Sequence, residues 1–334
     1  MSKAPRPLAM LFGVDGWARV EARVRAVCPG IDPYLYGHDG VVMHDGEPLA
    51  AGAQLPDTAW FGPELFARGQ DEDFLALMVA HPGLVWMQSG RAGFDHPAFR
   101  KLHEKGVRLS MSKAPAAAIG EYVLAAVFDH FQRGPERRAA QAEGRWQQLP
   151  FREVAGSRWL LVGFGEIGRE VAVRARAMGV HVTGVRRSGG TDMAADAMVT
   201  PDAMGEALAA ADVVVLSVPL TATNDGAYGA AFLAGMKPGA LFINVGRGQL
   251  LDEDALRVAL DGGRPGHAVL DVTRVEPLPA GEWHWTHPRV TLTAHTSALG
   301  SGLMGRTYDL LVENIRRYVR DEPLLHELSE RDFR

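Results

Sequence analysis

A single cysteine, Cys28, stands in 334 residues. That scarcity excludes an intrachain disulfide framework and a cysteine-based metal cluster, and it fits a reducing compartment. A basic excess is missing too, because 35 Lys and Arg face 40 Asp and Glu for a formal net charge of -5. Such a chain lacks the field that gathers nucleic acid or an anionic membrane surface. No apolar run approaches the ~20 residues of a membrane span. The apolar stretch within MSKAPRPLAMLFGVDG meets Asp15 too early for a signal peptide and reads as a first strand. Internal repeats, low-complexity tracts and long charge blocks are likewise absent. The resulting expectation is a soluble, cytoplasmic protein with no nucleic-acid, membrane or metal partner, and with Cys28 an inert residue at a helix end.

Glycine is plentiful, at 38 residues, so a glycine spacing alone carries little weight. One spacing has context. Residues 159–162 form a short apolar run with the character of a buried strand, and Gly163-x-Gly165-x-x-Gly168 follows at once. Ile167, Val171, Ala175 and Met178 then recur at helical spacing, Gly179 stops the helix, and residues 181–185 read as a second strand. This is the layout of a dinucleotide-binding unit. The first glycine permits a tight turn, the second lets backbone approach a pyrophosphate, and the third lets helix pack on strand. The helix N-terminus offers free N–H groups to the phosphates. Gly163, Gly165, Glu166, Ile167 and Gly168 are therefore candidate cofactor residues.

An NAD site places Asp or Glu at the end of the second strand, where it accepts from the ribose 2′-hydroxyl. This chain has Arg186-Arg187-Ser188 there. With no carboxylate in place to repel a 2′-phosphate, and two guanidiniums and a hydroxyl to bind one, NADP(H) is the expected cofactor and NAD(H) the alternative.

The remainder of the chain alternates strand and helix. Strands are expected at 8–14, 58–61, 84–88 and 107–111, with helices at 17–27, 74–80 and 97–105, which implies a small α/β domain. Residues 31–57 are turn-rich and give no clear element. A nearly apolar helix over 116–132 should be buried, and 134–157 reads as a polar arm carrying Trp146, Leu149 and Phe151. Further strands at 212–218, 240–245, 267–272 and 290–293, with a helix at 252–260, complete at least six strands of a doubly wound sheet. In such sheets ligands sit at the carboxyl ends of the strands.

Those ends read Val218-Pro219-Leu220-Thr221, Asn244-Val245-Gly246-Arg247-Gly248, Leu270-Asp271-Val272 and Thr293-Ala294-His295-Thr296-Ser297, with Glu276 just beyond Asp271. Beside a nicotinamide, this set suits hydride transfer to or from a carbon bearing oxygen. A proton must move on or off that oxygen, for which an imidazole is the natural group. A carboxylate bonded to the ring stabilises its protonated form, and an arginine can pair bidentately with a substrate carboxylate. Trp60, ending a short strand, is a candidate pocket residue or a packed aromatic. Trp283, Trp285, His267, His284 and His287 read as packing or solvated residues.

In GFGEIG, SVPLTATN, MKPGALFINVGRGQLLDEDAL, LDVTRVEPLP and WTHPRVTLTAHTS the chain resembles the D-isomer-specific 2-hydroxyacid dehydrogenase family, from about residue 85 to residue 323. The spacing from Arg247 to Glu276 to His295 is the family's usual one. The resemblance implies that His295 is the acid/base, Glu276 its supporting acid and Arg247 the substrate-binding arginine. It places Asp271 near the nicotinamide amide, and it implies that the turn Arg91-Ala92-Gly93 binds the substrate carboxylate through backbone N–H groups. Val218, Pro219, Thr223, Val245, Gly246 and Ser297 join the expected cofactor contacts, and Trp285 matches a family tryptophan.

The implied fold is α/β, with two Rossmann/flavodoxin-like domains, doubly wound parallel sheets and an active site in the interdomain cleft. Residues 1–114 and 306–334 would form a discontinuous substrate-binding domain, and 115–305 the dinucleotide-binding domain, through which family members usually form homodimers. NADP preference within this family suggests a reductase of small 2-oxo acids to D-2-hydroxy acids, of the glyoxylate/hydroxypyruvate type. Relatives also act on phenylpyruvates, larger 2-keto acids and phosphonate-type substrates. Three departures stand out: the missing acidic ribose ligand, Ser110 where many relatives have Asn, and Ala298-Leu299-Gly300 where a family threonine is absent. The alternative from another class is an NAD(P)-sensing, co-regulator-like interaction protein on the same fold, against which the intact Arg247, Glu276 and His295 argue.

Overall fold

The computed structural model describes residues 7–333 apart from 51 and 222. The chain forms two compact units, one from the segments up to Ala114 and from Ser301 onward, the other from Pro115–Gly300.

The first unit holds β1 (Leu8–Gly13), α1 (Val14–Val27), β2 (Ile31–Tyr36), β3 (Val42–His44), β4 (Glu47–Pro48), β5 (Thr58–Phe61), α2 (Pro63–Ala67), α3 (Asp71–Ala80), β6 (Trp86–Ser89), α4 (Pro97–Glu104) and β7 (Arg108–Ser110). Its sheet runs β4-β3-β2-β1-β5-β6-β7. The five strands from β2 to β7 are parallel in flavodoxin-like order. β3 and β4 add an antiparallel edge. This edge lies in the stretch whose sequence gave no clear element. Its residues are half-buried or exposed, so the unbroken apolar run that marks β1 and β5 never forms. One face of the sheet is covered by Trp17, Val20 and Val24 of α1 together with Leu311, Ile315 and Tyr318 of the C-terminal helix. The other is covered by Phe74, Met78, Phe99 and Leu102. Cys28 is buried at the end of α1, and burial pushes its thiol up.

The second unit holds α5 (Ala116–Phe131), α6 (Gly134–Ala142), β8 (Arg158–Val162), α7 (Glu166–Ala177), β9 (His181–Val185), β10 (Ala197–Val199), α8 (Gly205–Ala210), β11 (Val213–Leu216), α9 (Ala230–Gly235), β12 (Leu241–Asn244), α10 (Glu253–Asp261), β13 (His267–Leu270) and β14 (Val290–Leu292). The C-terminal helix, α11 (Leu303–Val319), belongs to the first unit. All seven strands are parallel, in the order β10-β9-β8-β11-β12-β13-β14. The order reverses between β8 and β11, which creates the crevice where such sheets take ligands.

β8, β11, β12 and β13 are almost wholly buried, which explains why apolar runs alone revealed them. The expected arm over 134–157 begins with a helix instead of an irregular segment. α6 buries only Ala140, so its sequence carries almost no apolar stripe to read. Trp146 and Phe151 beyond it are exposed. Among the described residues no helix is long and apolar enough to cross a membrane.

Candidate active site

Gly163 leaves β8 with φ +95°, a conformation open to glycine, and a Cβ there would lie 2.7 Å from Val218 N. At Gly165, one residue before α7 begins, a Cβ would meet nothing within 4 Å. Gly168 packs 3.0 Å from Gly163 O by the same measure. The turn therefore closes, presents open backbone and seats the helix, with Glu166 and Ile167 opening α7 and no side chain capping its N–H groups. These residues fit a dinucleotide pyrophosphate.

The turn after β9 corrects one expectation. Asp192 folds back against it: Arg186 Nη1 lies 3.6 Å and Arg169 Nη2 2.6 Å from Asp192 Oδ2, and the Asp192 side chain is only 5 % exposed. A carboxylate is therefore present, six positions beyond Arg186, where a search at the strand end does not reach. Arg186 Nη2 also donates to Gly189 O at 2.7 Å. Arg169 and Arg186 both face this carboxylate, and Arg187 and Ser188 are exposed.

The other strand ends are ordered by local hydrogen bonds. After β11, Asn224 Nδ2 donates to Pro219 O at 2.9 Å, tying down the loop that carries Thr223. After β12, Val245 and Gly246 are buried, Gly246 N donates to Asn244 Oδ1 at 3.0 Å, and Asn244 Nδ2 donates to Arg247 O at 3.0 Å. Arg247 is half-buried, with Nη1 donating to its neighbour's carbonyl, Gly246 O, at 2.8 Å. A Cβ at Gly248 would stand 1.9 Å from Thr273 C, so the Arg247 loop lies directly on the backbone of the Thr273–Glu276 loop.

His295 follows β14 with φ +54°, a left-handed conformation that costs a residue with a Cβ on the order of 1 kcal/mol. Asp271 holds that turn. Its carboxylate, on a residue 1 % exposed, accepts from Thr293 Oγ1 at 2.6 Å, Thr296 N at 2.8 Å and Ser297 N at 3.1 Å. His295 N donates to Asp271 O at 2.8 Å. The imidazole is thereby aimed so that Nδ1 donates to Glu276 Oε2 at 2.8 Å. Glu276 Oε1 in turn accepts from Thr273 N at 3.0 Å. The His295 and Glu276 side chains remain 47 % and 38 % exposed, which leaves Nε2 available to a reactant.

A cavity of about 540 Å³ lies against this pair, lined by Thr273, Leu278, Trp285 and Leu292 among others. Trp285 was expected to be a packing residue. It is instead 55 % exposed on the cavity wall, with its indole N–H donating to Pro279 O at 2.9 Å. Its neighbours Trp283 and His284 are the ones that pack, and two indoles two positions apart cannot be told apart by composition.

The remaining candidates lie in the first unit. Arg91 and Ala92 are exposed and Gly93 is half-buried. Arg91 N donates to Ser89 Oγ at 3.0 Å, Ser112 N donates to Arg91 O at 2.8 Å, and the guanidinium lies 4.2 Å over the Phe66 ring. Trp60 is fully buried behind this turn, where a Cβ at Gly90 would lie 3.3 Å from its ring.

Two titrating groups lie outside the expected site: Glu64, which the sequence does not single out, and His267, which reads from sequence as packing or solvated. Glu64, at the start of α2, points its carboxyl at Gly16 and Gly62. Burial pushes it up to about 7, against the pull of its own backbone N–H and Arg19. In the second unit burial drives His267 down to about 4, and the neighbouring His130 adds to the shift.

Residues 124–297 match the family model described as D-isomer specific 2-hydroxyacid dehydrogenase, NAD binding domain. Glyoxylate/hydroxypyruvate reductase A of Escherichia fergusonii is 28 % identical over 92 % of this chain and 91 % of that protein. The protein of the same name from Photorhabdus laumondii is 31 % identical over 66 % of this chain and 68 % of its own length. Among solved structures, a D-isomer specific 2-hydroxyacid dehydrogenase from Xanthobacter autotrophicus Py2, in complex with NADPH and MES, superposes with TM-score 0.77 at 27 % identity, covering 98 % of this chain and 100 % of that one.

Proposed function

The chain belongs to the D-isomer-specific 2-hydroxyacid dehydrogenase family of NAD(P)-dependent oxidoreductases, and from that premise we propose that it is an NADPH-preferring reductase of small 2-oxo acids, of the glyoxylate and hydroxypyruvate type, that forms D-2-hydroxy acids. The observation that carries this reading is the 2.8 Å contact of His295 Nδ1 with Glu276 Oε2, at the carboxyl edge of the sheet that also carries the glycine turn. A bound nicotinamide supplies the hydride.

His295 Nε2 delivers the proton that the carbonyl oxygen takes up as it becomes a hydroxyl. Glu276 fixes the ring's orientation and stabilises the imidazolium before delivery. Arg247 pairs with the substrate carboxylate and polarises the adjacent carbonyl. Asp271 supports the reaction by holding the His295 turn, since its carboxylate is taken up by Thr293, Thr296 and Ser297. In the first unit the turn Arg91-Ala92-Gly93 takes the substrate carboxylate through the backbone N–H groups of Ala92 and Gly93, the Arg91 N–H being held by Ser89 Oγ, with Trp60 backing that turn. Arg187 and Ser188 bind the 2′-phosphate, while Arg186 orders the turn through Gly189 and adds charge. Homodimer formation through the second unit completes the reading, and exposed Trp146 and Phe151 are the apolar surface such an interface would cover.

The test is NADPH and NADH oxidation across a panel of 2-oxo acids that includes glyoxylate, hydroxypyruvate, phenylpyruvate and larger 2-keto acids. Turnover of the small acids with NADPH as the better reductant is expected. Binding of NADPH without turnover of any 2-oxo acid would overturn the enzyme reading.

A further inference from the structure

A second histidine–carboxylate pair lies behind the first. His284 is buried, 3 % exposed, and its Nε2 lies 3.4 Å from Glu253 Oε2, on a side chain only 15 % exposed. Glu253 Oε1 accepts from Arg274 N at 2.8 Å. Arg274 follows Thr273, the residue whose N–H holds Glu276 Oε1. The loop bearing Glu276 is thus gripped at two successive backbone N–H groups, one by Glu276 itself and one by Glu253.

An acid in the first turn of a helix has an ordinary explanation in the helix dipole. Here it does not suffice. Asp254 already places an exposed carboxylate in the same turn, and Asp252 caps the helix by accepting from Ala255 N at 2.9 Å. Glu253 instead turns inward, where a buried charge is costly unless it is paired and hydrogen-bonded. Its hydrogen bond comes from the Arg274 N–H, the His284 ring approaches at 3.4 Å without hydrogen-bonding to it, and that ring stacks on Trp283 at 4.0 Å between centroids. Arg274 ties the same loop down further: its Nη1 donates to Gln249 O at 3.0 Å, its Nη2 to Asp225 Oδ1 at 2.9 Å, and its carbonyl accepts from Gln249 Nε2 at 3.2 Å.

We infer that Glu253 and His284 are positioning residues for Glu276: Glu253, backed by the buried His284 ring, fixes the Thr273–Glu276 loop so that the Glu276 carboxylate meets His295 Nδ1. This rests on the proposed function for its catalytic meaning, while the contact it sets is read independently of turnover. The experiment compares ring ¹⁵N shifts of His295 at fixed pH in histidine-labelled protein, assigned with His295→Gln. Glu253→Ala should move those shifts toward the values of Glu276→Gln, and Glu253→Gln, which keeps an acceptor for Arg274 N, should restore most of the wild-type signal. His284→Asn should move them in the same direction by a smaller amount, and it serves where Glu253→Ala fails to fold.

In turnover, kcat for Glu253→Ala should fall about tenfold, with KM for NADPH within about twofold. Wild-type His295 shifts in folded Glu253→Ala, or in His284→Asn where the former does not fold, overturn the inference. If 2-oxo acids are not reduced at all, the proposed function fails while the ring shifts still decide this one.

Discussion

Two carboxylates near strand ends, one in each unit, have opposite surroundings. Glu276 is 38 % exposed, holds a backbone N–H and receives an imidazole N–H at 2.8 Å. Glu64 is buried between glycines, and that burial outweighs its nearby donors and lifts it to about 7. The first is ready to stabilise a neighbouring positive charge at the solvent-exposed edge of the sheet. The second is costly to ionise and makes the unit that holds it sensitive to pH. A carboxylate's place in the fold therefore says less about its chemistry than the donors around it.

The largest effect that would sharpen this contrast is at His295. His295→Gln is expected to lower kcat about 10³-fold while NADPH affinity, measured by fluorescence titration, stays within about threefold; near-wild-type turnover would remove His295 from the chemistry. Glu276→Gln should cost about 10²-fold in kcat. Combined with His295→Gln it should cost little more, because the two act as one unit. Additive losses in that double mutant would mean that Glu276 acts elsewhere.

On the buried side, Glu64 has a folded-state pKa of about 7 against an ordinary value of 4.5. The folded state thus holds the proton more tightly. The stability this contributes is complete below about pH 4.5 and is lost as pH rises through about 7, on the order of 3 kcal/mol in all. Urea midpoints at pH 5 and pH 8 should show this slope in wild type and not in Glu64→Gln. An identical slope in the variant would mean that the carboxyl is not the source. His267 works in the reverse sense: its folded value near 4 lies below the ordinary 6.5 of an imidazole, so its contribution is present above pH 6.5 and is lost as pH falls through 4. Acidification should therefore strengthen protection in the first unit and weaken it around β13, which residue-resolved hydrogen exchange can read.

The smallest expected change is at Arg186. Arg186→Asp should lower the NADPH:NADH ratio of kcat/KM about tenfold, by adding a second carboxylate beside Asp192 and releasing the Gly189 carbonyl. An unchanged ratio would mean that coenzyme choice lies with residues other than this turn.

The central strands of both sheets were legible because burial on two faces turns them into apolar runs, as in Val213–Leu216. β2, β3, β4 and β10 were not, since few of their residues are fully buried and Asp, Gly and Pro lie in or around them. Arg247, Glu276 and His295 could be found because the doubly wound fold dictates where to look. Asp192 escaped because a double-glycine bend returns it to a strand end that it does not follow directly. Glu253 and His284 escaped for a different reason: a helix-start acid and a histidine between tryptophans look ordinary until their burial is known. No pattern along a chain reports that two polar side chains face each other in the interior.

Gly248 bears on how this protein could be altered. With 1.9 Å between its would-be Cβ and Thr273 C, the loop of Arg247 and the loop of Glu276 have no slack between them. A residue inserted in either would displace the other, so the arginine and the acid must travel together through any change of specificity. Diversification aimed at new acids is better spent on Leu278, Trp285 and Leu292, which line the cavity without belonging to that joint.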